Sequence, residues 1–65
     1  MIRYHSISGL NGEICVDWDG FFVGFIAASG KRRWRAYGRT MNLIGRSYQS
    51  RTDAATACYR DSLSG

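Results

Sequence analysis

Nine consecutive residues, Lys31-Arg32-Arg33-Trp34-Arg35-Ala36-Tyr37-Gly38-Arg39, form the grouping in this 65-residue chain whose types and spacing most clearly point to a chemistry. Guanidinium groups are planar, always charged and bidentate toward phosphate or carboxylate. On a strand, alternate side chains share a face, so Arg33, Arg35, Tyr37 and Arg39 project together, opposite Trp34. Such a ribbon sets guanidinium groups about 7 Å apart, close to the phosphate spacing of one nucleic-acid strand. Two-stranded ribbons fit the major groove, guanidinium can read guanine, and Tyr37 offers a ring for an unpaired base. With Arg46 added, the candidate nucleic-acid-binding set is Lys31, Arg32, Arg33, Arg35, Tyr37, Arg39 and Arg46. The plainer reading is a solvent-facing strand that carries charge for solubility and to deter pairing with other chains.

The distribution of charge favours the first reading. Residues 1 to 19 set Arg3 against Glu13, Asp17 and Asp19, a balance of −2. Residues 20 to 52 carry Lys31, Arg32, Arg33, Arg35, Arg39, Arg46 and Arg51 with no acid, a balance of +7. The rest returns −1, for a net charge of +4. A long segment of one sign attracts polyanions or an acidic protein surface.

Catalytic groupings are not apparent. His5 has no carboxylate or thiol near it in sequence, and a strand-face histidine explains it better than a general base. Asp17 and Asp19 share strand-face spacing, which suits a weak cation site, but their place beside Gly20 makes them ordinary turn and strand-end residues. No glycine pattern leads into the Lys-Ser or Lys-Thr of a phosphate-binding loop. Cys15 and Cys58 are too far apart for a zinc knuckle, and His5 is the only histidine. They either join the second strand to the final helix as a disulfide or remain two reduced, buried thiols. The lack of a secretory signal pattern favours the thiols. The expectation is a binding protein that is not an enzyme and uses no metal or cofactor.

These residues need a scaffold, and 65 residues provide one domain at most. At 45% hydrophobic and 14% aromatic the chain should fold. No apolar run approaches the roughly 18 residues of a membrane span, so the expected setting is cytoplasmic. Asn11-Gly12, Asp19-Gly20 and Ser29-Gly30-Lys31 mark three reversals. Between them, strands are predicted over residues 2 to 8, 13 to 18, 21 to 28, 32 to 38 and 43 to 49. Ile14, Val16 and Trp18 point inward against Glu13, Cys15 and Asp17. The period then changes. Thr52, or Ser50 paired with Asp53, can cap a helix running to about Leu63, with Ala54, Ala55, Cys58, Ser62 and Leu63 near one side. The expected fold is α+β: an antiparallel sheet of three to five strands followed by one C-terminal helix.

Residues 21 to 28 are apolar on both faces. Strict alternation groups Phe22 with Ile26, and Phe21 with Val23 and Phe25. One helix can cover only one of these groups, so a homodimer or an obligate partner is expected to cover the other.

From Gly24 to Leu63 the chain has a strand ending in Gly-Lys-Arg, then Trp-Arg-Ala, then Gly-Arg-Ser-Tyr-Gln-Ser-Arg-Thr-Asp-Ala-Ala and a helix. This resembles the three-stranded-sheet-plus-helix DNA-binding modules: the arm-binding N-terminal domains of tyrosine integrases and the plant ethylene-response domain. The resemblance covers about 40 residues, and it implies a sheet face entering the major groove through Arg33, Arg35, Tyr37 and Arg46. HicB-type antitoxins share the closing phrase, and the strand before Asn11-Gly12 departs from the integrase pattern. A second reading stands beside DNA binding. It is a phage- or mobile-element-encoded protein-binding inhibitor or regulator that sets the same Arg face and the exposed aromatics against an acidic protein surface, for example of a host defence or nucleic-acid-processing complex.

Overall fold

Alternating apolar residues separated by tight reversals build one antiparallel sheet. The computed structural model describes residues 1–6 and 12–64. Its elements are β1 (Ile2–Ser6), β2 (Ile14–Trp18), β3 (Phe21–Gly30), β4 (Arg33–Tyr37), β5 (Leu43–Tyr48) and α1 (Arg51–Ser64). The five strands lie in chain order, each antiparallel to the next. This is the α+β fold expected, with the upper number of strands.

The β2–β3 reversal is Asp19-Gly20, both left-handed at φ 53° and 87°. That geometry matches the twist of paired strands. At the next reversal the turn residues are Lys31 and Arg32, one step later than Ser29-Gly30-Lys31 suggests, with Arg32 at φ 57°. Of the first reversal, Gly12 takes φ 83°, whereas Asn11 and the predicted strand residues 7 and 8 lie outside the described residues.

The helix starts at Arg51, and the Ser50 alternative forms its cap. The Asp53 backbone N–H donates to Ser50 Oγ at 3.1 Å, and Asp53 sits in the first turn, where its charge complements the dipole. Helix α1 packs over β3, β4 and β5. Ala54, Ala55 and Cys58 are fully buried with Val16, Ile26 and Ala36, and Val23 is nearly so. Beyond this footprint, longer side chains reach β1 and β2. Tyr59 stacks on Trp18 with ring centroids 4.2 Å apart, and the Arg51 guanidinium lies 4.4 Å from the Tyr4 ring centroid. Leu63 is 69% exposed instead of facing the sheet. At 100° per residue it stands about 140° around the helix from Cys58.

A bulge in β3 overturns the face assignment expected from alternation. Val16 pairs with Gly24 but Asp17 pairs with Phe22, which leaves Val23 as the extra residue. Val23 and Ile26 therefore both enter the core. Phe22 and Phe25 meet edge-to-face at 5.2 Å on the other side. No described helix is long and apolar enough to cross a membrane.

Candidate nucleic-acid interface

Paired residues in neighbouring strands share a face. The register sets His5, Cys15, Phe25, Tyr37 and Leu43 opposite one another across all five strands. This row lies on the side of the sheet that α1 does not cover, since the partly buried apolar residues packed on the core are others, such as Ile14, Trp34 and Tyr48. Phe22 extends the row through Phe25. In the next row Ala27 stands opposite Arg35. The result is an aromatic strip over β3 and β4 with cations on the β4–β5 side.

Two shallow grooves hold those cations. Arg35, Tyr37, Leu43 and Arg46 line one. Lys31, Arg32, Arg33, Ser47 and Gln49 line the other, at the β3–β4 turn. Tyr37, Arg35 and Arg33 follow one another at every second residue of β4, leading from the aromatic strip to the turn. Among the described residues, the Met1 amine pairs with Asp19 and His5 contacts Asp17. Neither contact engages Lys31, Arg32, Arg33, Arg35 or Arg46.

Arg39 does not belong to this ribbon. Strand β4 ends at Tyr37, and the chain turns: the Gly38 N–H donates to the Asn42 carbonyl at 2.8 Å and the Met41 N–H to the Gly38 carbonyl at 3.0 Å. Alternation stops there, and Arg39 lines a separate cleft with Trp18, Phe21, Phe22, Tyr59 and Leu63. The other six candidate residues, Lys31, Arg32, Arg33, Arg35, Tyr37 and Arg46, line the two grooves.

The fold gives His5 a carboxylate that its sequence neighbours do not. His5 Nε2 lies 3.0 Å from Asp17 Oδ2, and Cys15 stands directly across from His5. Burial, then the Asp17 charge, push the Cys15 thiol pKa up. Both effects keep the sulfur protonated, the reverse of what a nucleophile needs. Sequence separation hid this group; the only available signal was that residues 5, 15 and 17 fall on outward positions of two adjacent strands. Both cysteines are free. Cys15 lies on the open face and is only partly buried, whereas Cys58 faces the sheet from α1 on the other side, so the sheet separates them. The Cys58 thiol donates toward the Phe25 and Tyr37 carbonyls at 3.4 Å each, and burial pushes its pKa up to about 11.

Comparison with protein-family models, curated proteins and solved structures finds no match to this chain. The sheet also differs from a three-stranded module in having β1 and β2 added beside β3.

Proposed function

We propose that the helix-free face of the sheet binds single-stranded nucleic acid. The reading is carried by the Phe25–Tyr37 pair lying beside Arg35 and Arg46 on that same face. Bases stack on the rings, and the guanidinium groups take the phosphates, with Arg33 continuing the track. A ligand of this kind also covers the apolar face that the helix leaves open, without a second copy of the chain.

Width favours a single strand over a duplex. Five strands about 4.8 Å apart span about 19 Å, against a major groove about 12 Å wide. The whole face therefore cannot enter the groove as a three-stranded sheet can. The test is titration with a single-stranded oligonucleotide of about nine nucleotides and its duplex, as DNA and as RNA. Tighter binding of the single strand, weakened by Tyr37→Ala, supports the reading; duplex preference or no binding removes it.

The second reading, a protein-binding inhibitor or regulator, moves here from the Arg face to the exposed aromatics of a different surface. Phe21 and Leu63, 74% and 69% exposed, rim the cleft that contains Trp18 and Arg39. Under that reading Phe21→Ser abolishes partner capture while Arg35→Ala does not.

A further inference from the structure

The groove at the β3–β4 turn concentrates more positive charge than an internal phosphate calls for. A diester carries one negative charge, whereas Lys31, Arg32 and Arg33 bring three cations to one groove, beside the hydroxyl of Ser47 and the amide of Gln49. Ser47 lies in β5, the edge strand, and Gln49 just beyond it; both also border the groove between β5 and α1 that Asp53 and Arg60 line. The lining of the groove at the turn includes no aspartate, glutamate or histidine. A phosphomonoester fits this donor set. It carries about −1.5 to −2 charge at neutral pH and three strong acceptor oxygens.

Position strengthens the argument. The groove lies where β4 begins, at the end of the line formed by Tyr37, Arg35 and Arg33. A strand stacked on the aromatic strip and tracked by Arg35 brings one of its ends there. The geometry points to this groove as a pocket for the terminal phosphate of a single-stranded nucleic acid, an assignment that rests on the binding reading above. The protein then distinguishes phosphorylated from hydroxyl ends. Lys31, Arg32 and Arg33 supply charge, and Ser47 and Gln49 supply neutral donors.

The test uses one thymidine oligonucleotide of about nine nucleotides in three forms, with a 5′-phosphate, a 3′-phosphate or hydroxyls at both ends. One phosphorylated form is expected to bind on the order of tenfold tighter than the hydroxyl form at pH 7.5, about the gain of one charge-assisted contact. That preference should shrink as pH falls through about 6, where the phosphate dianion takes up a proton and keeps only one negative charge. The variant Arg32→Gly removes the guanidinium and accepts the left-handed turn geometry. Combined with Lys31→Gln, it should erase the preference while the hydroxyl form still binds. Equal binding of all three forms overturns the terminal-phosphate pocket and leaves the single-strand reading standing. So does an equal loss for all three forms in the double variant. If no form binds, both fall.

Discussion

Cys58 sits so close over Gly24 that a Cβ at residue 24 would lie 3.2 Å from its sulfur, and 2.3 Å from the Tyr37 carbonyl oxygen. The second contact is with backbone, which cannot swing aside, and Gly24 takes φ 155°. Gly24→Ala is therefore expected to destabilise the fold by about 2–4 kcal/mol. In a domain this small each kilocalorie is worth roughly 4–8 °C in melting temperature. Thermal unfolding followed by circular dichroism checks this; an unchanged midpoint contradicts the tight helix–sheet approach.

Burial of Cys58 has a pH signature. Its folded pKa of about 11 lies above the ordinary 9.0, so the thiol is neutral in both states below pH 9. Above that the unfolded chain ionises first. The stabilisation is complete below about pH 9 and is lost as pH rises through about 11, a loss of about 2–3 kcal/mol. Urea unfolding of wild type and Cys58→Ala from pH 8 to 11 isolates the effect, because other titrating groups are common to both. Parallel curves would contradict the burial.

The two thiols should also differ in access. Cys15, on the open face, is expected to react with a thiol reagent in the folded protein, and Cys58 only through unfolding. A single modified sulfur per chain in native buffer, and two in denaturant, is the predicted result. A disulfide or equal labelling rates would contradict their placement on opposite sides of the sheet.

Trp34 packs against the core beneath the helix, whereas Tyr37 is on the open side. Trp34→Ala should destabilise by about 2–4 kcal/mol, the lower part of the range because the ring is only partly buried. Tyr37→Ala should lose less than about 1 kcal/mol of stability while weakening single-strand binding by about 1–3 kcal/mol. Equal effects of the two variants on stability would contradict the division of β4 into a core side and a binding side.

The sequence made the strands and helix legible where local signals agreed. Asp19-Gly20 supplies the turn that its geometry requires, Val16 alternates with Cys15 and Asp17, and Ser50 stands three residues before Asp53. The faces of β3 were not legible. Phe21 to Ala28 is apolar on both sides, so a period of two carries no information about which side is buried. The glycine that accommodates the bulge leaves no distinctive side-chain pattern. Alternation cannot show where a strand ends, and the turn at Gly38 takes Arg39 out of the ribbon. The His5–Asp17 contact depends on the pairing of β1 with β2, a long-range event with no local trace.

The most direct test of the central claim is the salt dependence of oligonucleotide binding by wild type, Arg33→Ala/Arg35→Ala and, as a control on the helix, Arg60→Ala. Each phosphate neutralised on a single strand contributes about −0.7 to the slope of log K against log salt. The double variant should remain folded, bind about 1–3 kcal/mol more weakly, and show a slope shallower by about one to two units. Arg60→Ala should match wild type. A folded double variant that binds with wild-type affinity and slope would mean that the basic side of the sheet is solvated surface, and would contradict the account.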